Sequence, residues 1–297
     1  SGIVTDRDSY VTGEDMMVTV TLKDALGNAV TGASALLTGN AVTVPDATLK
    51  SGGWKDNGDG TYTATYAATT AGTGLKAVLK LADWSGTTES AVYAITERVF
   101  IKDLLAGDYR FSPDSGFPST GYKGAEFRIE LNATNVSDYD WTSNQSWVSV
   151  SNGIVTFSDT GNNDAVTITG KLKNGDVTVS YTFRLSAWFD FSAGSSVVYP
   201  EAVNHCNSLP GYTLPTINQL VSAKGNIRAV GTWWGEWGSD RYYPKSDIKP
   251  EAYWSSTVGG GTWPYFYYWV IYADTGVYHA AYTGDSLYVV CRKDLAG

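Results

Sequence analysis

Cysteine and histidine are scarce in this chain, with two of each in 297 residues. Two histidines, His205 and His279, with no CxxC or HxxxH spacing, do not make a zinc site. Basic residues are also few. Lys and Arg number 21 against 30 Asp and Glu, giving a net charge of −9 and a pI near 4.7. That balance argues against a nucleic-acid or anionic-membrane binder, whose affinity needs a basic face. No stretch reaches eighteen apolar residues, and the longest, 264–273, is about half that, so no helix is expected to span a bilayer. Catalytic signatures are missing as well: there is no GxSxG, no glycine-rich phosphate loop before a helix and no HExxH. His205 follows the wrong helix face to serve Cys206 as a base. The chain is therefore read as a non-enzyme without cofactor or metal. The stretch is not read as containing a signal peptide, and Ser1-Gly2 reads as an expression scar or a cut from a longer chain, so any export segment is expected to lie outside it.

What is present is unevenly spread. Residues 1–193 hold 14 basic and 22 acidic side chains, net −8; residues 194–297 hold 7 and 8, net −1. The shorter second stretch has 6 of the 11 Trp, 12 of the 20 Tyr and both cysteines. The first two thirds read as an acidic stalk and the last third as an aromatic-rich module with another task.

Residues 1–97 alternate with period two. Val18, Val20 and Leu22 are separated by Thr19 and Thr21, and Tyr62, Ala64 and Tyr66 by Thr63 and Thr65. Each run has the signature of a half-buried strand. Turn clusters at 24–28 and 56–60 separate such runs, which predicts a β-sandwich. The run 56–60, DNGDG, has Gly where a calcium loop needs oxygen ligands, so it is read as a hairpin turn. Residues 98–193 repeat the class, with a long strand predicted from the alternation of Val177, Val179, Tyr181, Phe183 and Leu185. The join near 96–98 lacks a Gly/Pro-rich linker, which favours a stiff rod.

From residue 194 the pattern changes. Ala202, Cys206 and Leu209 share one face of an amphipathic helix with Pro200 near its start. Thr216 and Gln219 have capping-box spacing, so a second helix should begin at Thr216. Strands are predicted at 252–256, 267–273, 276–282 and 286–292. The stretch 231–243, GTWWGEWGSDRYY, has no strict period and is read as a loop, as is the Gly-led 259–266, GGGTWPYF.

The segments VTVTLKDALGNAVTG (18–32) and DNGDGTYTATYAATTAG (56–72) resemble the bacterial Ig-like type 1 domain of intimin and invasin adhesins. WTSNQSWVSVSNGIVTF (141–157) resembles a second bacterial Ig-like domain. The ordered motifs LPTINQL (214–220), YWSST (253–257), WVIYADTGVY (269–278) and YVVCRK (288–293) resemble a bacterial C-type lectin-like domain. The expected architecture is multidomain and mainly β: two Ig-like β-sandwiches, 1–97 and 98–193, followed by an α+β C-type lectin-like domain, 194–297.

This resemblance implies the distal, extracellular part of an outer-membrane adhesin at the bacterial surface. It also implies a disulfide between Cys206 and Cys291, the matching pair in the family, as expected for an exported chain. Calcium-dependent lectins of this fold carry a Glu-Pro-Asn or Gln-Pro-Asp loop and a Trp-Asn-Asp strand; neither is present, so calcium-dependent sugar binding does not follow. The chain departs from intimin in 231–243 and 259–266, so the receptor's identity is not carried over.

Aromatic side chains on scaffolded loops have the composition of a recognition surface. The candidate contact residues are Trp233, Trp234, Trp237, Arg241, Tyr242, Tyr243, Trp263, Tyr265 and Phe266, with Glu236 and Asp240 helping to set orientation. Some of the tryptophans are expected in the core instead. The partner expected is a host protein bound by a monomeric fragment. A glycan stacked on Trp and Tyr is the second class, and self-association the third.

Overall fold

The computed structural model describes residues 1–296, which divide into two compact units with a break between Arg98 and Val99.

The first unit is a β-sandwich. One sheet runs in the order Gly2–Thr5, Asp15–Thr21, Thr61–Ala68, Ala47–Leu49, with Lys55–Asp56 also paired to Thr61–Ala68. The predicted alternation is realised. Along Thr61–Ala68 every second side chain is buried, and Met16, Val18 and Val20 enter the same core. The hydroxyl of buried Tyr62 donates to the Val30 carbonyl at 2.7 Å, so this large ring is buried without an unpaired polar tip. The 56–60 segment turns between paired strands, with the Asn57 N–H donating to the Thr61 carbonyl at 3.0 Å. Gly60 has φ of +90° and lies where a Cβ would meet Ala29 at 2.8 Å, so only glycine fits.

The second unit begins at Val99 and combines a β-sandwich with an α+β portion. Its first sheet orders Tyr109–Phe111, Ile101–Ala106, Glu126–Leu131, Ile154–Phe157 and Val148–Ser151; the facing sheet orders Tyr139–Ser143, Val166–Leu172 and Thr178–Phe183. The α+β portion has three short helices, α1 (Tyr199–Ser208), α2 (Ile217–Leu220) and α3 (Trp233–Trp237). It also holds a three-stranded antiparallel sheet of Ala252–Thr262, Tyr265–Tyr272 and Tyr278–Tyr282. As the capping-box spacing predicts, α2 starts after Thr216, whose N–H donates to Gln219 Oε1 at 3.0 Å.

Two features join these portions into one unit. The strands Thr120–Tyr122 and Ala187–Asp190 belong to a sheet that continues into Cys291–Asp294 and Tyr212–Thr213. One core also runs from Leu104, Phe127 and Phe157 of the sandwich to Trp233, Trp237 and Tyr253 beyond it. Among the described residues no helix is long and apolar enough to cross a membrane.

The two aromatic stretches are not loops. The first holds α3 and a 3-10 turn, Asp240–Tyr242. Thr232 caps α3, its hydroxyl accepting from the Gly235 N–H at 3.0 Å, and Gly238 ends it with φ of +72°. In the second stretch, 259–262 continues one strand and Tyr265 opens the next, so the segment is the end of a long hairpin. The glycines did not end the strand: Gly259 is taken up by the register shift between Val258 and Gly260, and Gly260 and Gly261 stay paired with Tyr267 and Phe266.

Candidate functional site

The aromatic candidates separate by burial. Trp233, Trp234, Trp237 and Tyr243 are buried in the core that joins the sandwich to the α+β portion. They cannot act as exposed contacts, and this corrects the surface reading of these four. Their spacing explains the burial. Trp233 and Trp237 are i and i+4 on α3, one face of a helical turn, and that face packs onto Phe117, Tyr122, Phe157 and Phe191. The polar tips of two are satisfied: Trp234 Nε1 donates to the Ala273 carbonyl at 3.0 Å, and Trp237 Nε1 to Thr120 Oγ1 at 3.1 Å. The Tyr243 hydroxyl donates to the Trp237 carbonyl, and burial raises its pKa well above the ordinary tyrosine value.

Glu236 is the clearest departure from expectation. It is 0% exposed, not a solvated loop charge. Its Oε1 accepts from the Ser119 N–H at 2.8 Å, the Thr120 N–H at 3.0 Å and the Thr120 hydroxyl at 3.1 Å. Its Oε2 accepts from the Gly231 N–H at 2.7 Å and from the Ser119 hydroxyl. Burial raises its pKa above the usual glutamate value, and these donors oppose the rise. Next to it, Arg228 binds the Ala106 carbonyl at 2.8 Å and the Glu236 carbonyl at 3.0 Å, and pairs with Asp108. Glu236 and Arg228 thus clamp α3 and its approach onto the sandwich. Asp240 is partly buried, and desolvation raises its pKa too.

Arg241 and Tyr242 stay partly accessible on the 3-10 turn, with the guanidinium 5.2 Å from the Tyr242 ring centre. The Tyr242 ring presses on Gly107, where a Cβ would lie 2.7 Å away, so it also serves as packing.

Trp263, Tyr265 and Phe266 form the end of the long hairpin. Trp263 is 83% exposed and Tyr265 62%, with Phe266 half-buried. The structure adds residues that the sequence reading did not single out. Tyr267 and Tyr282 oppose each other across the sheet and are both exposed. The ring centres of Tyr265 and Tyr267 lie 6.2 and 5.9 Å from that of Tyr282. The missed signal was the period-two run Tyr265, Tyr267, Trp269, which puts three rings on one face. No charged residue occurs from Ala252 to Ala273. The hairpin therefore carries no charged side chain of its own, and its end presents exposed aromatic rings on paired strands.

The base of the hairpin is fixed from its other face. Tyr268 stacks on Tyr199 of α1 with ring centres 3.7 Å apart. The Cys206–Cys291 disulfide links α1 to the shared sheet, with Cα atoms 5.3 Å apart. Among the described residues, no group of three or more His, Cys, Asp or Glu side chains is placed to hold a metal ion.

This arrangement has relatives. The family model "Invasin, domain 4" matches residues 102–183. The inverse autotransporter adhesin YeeJ of Escherichia coli (strain K12) is 30% identical over 189 residues, covering 62% of this chain and 8% of YeeJ. Invasin of Yersinia enterocolitica is 30% identical over 151 residues, covering 49% of this chain and 18% of that protein. The chain thus spans under a fifth of either relative. Among solved structures, invasin, described as a bacterial integrin-binding protein, aligns with a TM-score of 0.58 at 18% identity, covering 99% of this chain and 79% of that one. A 282-residue C-terminal intimin fragment, solved with the intimin-binding domain of the translocated intimin receptor, aligns with a TM-score of 0.51 at 16% identity, covering 99% of both chains. At these identities the structural matches speak for a shared fold.

Proposed function

The chain belongs to the intimin/invasin family of adhesins, and from that premise we propose that it is an extracellular adhesive segment whose hairpin end, Trp263 to Tyr267 with Tyr282, binds a protein on the host cell. The observation that carries this reading is the exposure of these rings at the end of a hairpin without a charged side chain. Interface centres are depleted in charge and enriched in Trp and Tyr, and rigid rings lose little entropy on binding. The neighbours invasin and intimin were described with protein partners, an integrin and the translocated intimin receptor, which supports a protein partner here. The lectin-like portion acts without calcium in this proposal, because the oxygen-ligand motifs of the calcium-dependent lectins are missing from the sequence. Arg241 and Tyr242 contribute at the margin of the contact, and the chain sits outside the outer membrane.

The test is binding of the labelled chain to host cells. Trp263→Ala and Tyr265→Ala should weaken it while leaving the melting temperature unchanged; unaltered binding in both variants would refute the site. A glycan is the second reading, favoured by the row Tyr265, Tyr282, Tyr267, whose faces can stack on sugar rings. Binding lost after glycosidase treatment of the cells, and kept after protease treatment, would decide for it.

A further inference from the structure

The three-stranded sheet of Ala252–Thr262, Tyr265–Tyr272 and Tyr278–Tyr282 has two outer edges, and they differ. The outer half of Ala252–Thr262 is broken by bulges, and Gly260 and Gly261 have φ of +144° and +92°. Such irregularity blocks the addition of another strand. The opposite edge, Tyr278–Tyr282, is regular. Its register with Tyr267–Ile271 is unbroken, and it contains no glycine, proline, Asp, Glu, Lys or Arg. Bulges, proline and charged side chains, which protect many edges, are absent from it, and the Tyr278 side chain bonds to the Ala223 carbonyl at 2.9 Å through its hydroxyl, leaving the backbone of the strand to pair.

The free backbone groups can be assigned. Thr283 N–H bonds to the Phe266 carbonyl, and Tyr272 N–H to the Val277 carbonyl. Hydrogen-bonded and non-hydrogen-bonded pairs alternate along an antiparallel ladder. Tyr278, Ala280 and Tyr282 therefore direct their N–H and C=O groups away from Tyr265–Tyr272. Of these groups, the Tyr282 carbonyl also accepts from the Asp285 N–H at 2.9 Å.

We propose that this edge pairs antiparallel with the same edge of a second copy of the chain, about a two-fold axis at Ala280. The sequence Tyr278-His279-Ala280-Ala281-Tyr282 nearly reads the same in both directions. In this register Ala280 faces Ala280 of the other copy, and Tyr278 faces Tyr282 in each half, so small residues meet at the axis and rings meet at both ends. Such a contact is isologous and closes at two chains. Charge favours this location. Each copy carries −9, so most contacts between copies bring like charges together. From Ala252 to Gly284 the only charged residue is Asp274. This pairing uses the strand edge and not Trp263 or Tyr265, and it shares only Tyr282 with the receptor reading, so Trp263→Ala should leave the dimer unchanged whatever it does to host-cell binding. It replaces the expectation of a monomer by a reversible dimer.

Sedimentation of residues 1–297 over a concentration series tests it. A monomer–dimer equilibrium that strengthens with added salt is expected, because salt screens the net repulsion. Ala280→Pro removes one outward N–H and leaves the inner ladder intact; it should raise the dimer dissociation constant at least tenfold without unfolding the chain. Ala280→Cys gives a second readout independent of that variant's fold. Opposed residues of a hydrogen-bonded pair have Cα atoms about 5.5 Å apart, within disulfide reach. Both native cysteines are already bridged. A280C should therefore cross-link to a dimer under oxidation, and His279→Cys, which has no identical residue opposite, should not. A chain monomeric at every concentration would overturn the proposal and leave the edge to a different partner strand. Equal cross-linking of both cysteine variants would overturn the register.

Discussion

Trp237 and Trp263 show one side chain put to opposite uses. Trp237 is surrounded by Phe117, Tyr122, Phe127 and Phe157, whereas Trp263 stands in solvent. Trp237→Ala should cost about 3–5 kcal/mol of stability, read by denaturant unfolding. Trp263→Ala should leave stability within about 0.5 kcal/mol and weaken host-cell binding by about 2 kcal/mol or more. Glu236 adds a pH dependence. Its folded pKa lies above its unfolded value, so the native state holds the proton more tightly than the unfolded one. Its stability contribution is then fully present below the ordinary carboxylate pKa of about 4.3 and is lost as pH rises through the folded value. Unfolding free energy of the wild type, taken relative to Glu236→Gln, should fall across that window as pH rises. A flat difference would mean that the five donors cancel the effect of burial. At neutral pH, Glu236→Ala should be destabilising by about 1–3 kcal/mol, because the buried Thr120 N–H and the part-buried N–H groups of Ser119 and Gly231 lose their acceptor.

The disulfide and the hairpin act as elements. Cys206 and Cys291 are separated by 85 residues, and the bridge holds α1 against the strand that enters the shared sheet. Closing a loop of that size stabilises by roughly 4–5 kcal/mol in the chain-entropy model. Cys206→Ser with Cys291→Ser should lower the melting temperature, and the native protein should show no alkylatable thiol until reduced, which intact mass resolves. The turn before Tyr278 is equally constrained. Gly276 has φ of +69° and packs on the Trp234 ring, with a Cβ position 2.5 Å from it. Gly276→Ala therefore strains the backbone and the core together. The hairpin end is different: it extends beyond the packed base, so its rings can be changed without loss of the fold.

At the level of the whole molecule, the cores determine how the chain unfolds. Residues 1–98 have a core of their own, centred on Val18, Val20, Tyr62 and Tyr93. The second unit shares one core and one sheet across the sandwich and the α+β portion. Calorimetry should resolve two transitions, and Trp237→Ala should shift only one of them. Three transitions, with the sandwich melting apart from the α+β portion, would contradict the shared core. A chelator should leave host-cell binding unchanged under the calcium-independent proposal; binding lost in chelator and restored by calcium would refute it.

The strands of the two sandwiches were legible in the sequence because a half-buried strand writes its burial as alternation, as Tyr62, Ala64 and Tyr66 do. The start of α2 was legible because Thr216 and Gln219 satisfy each other within one turn. Both are local rules, and residues within a few positions suffice to state them. The division of the aromatics was not local. Trp233, Trp234 and Trp237 share their composition and glycine punctuation with the exposed hairpin end, and what buries them comes from distant segments: Phe117, Tyr122, Phe157 and Phe191 against Trp233 and Trp237, and Ala273 and Gly276 against Trp234. Glu236 gives the same lesson: its acceptor role exists because Ser119 and Thr120 are brought to it from over a hundred positions away. The sequence by itself determined the β class, the cap that starts α2 and the supply of uncharged aromatic residues. Only the tertiary structure decided which of those rings became core and which remained available to a partner, because burial depends on the arrival of distant segments.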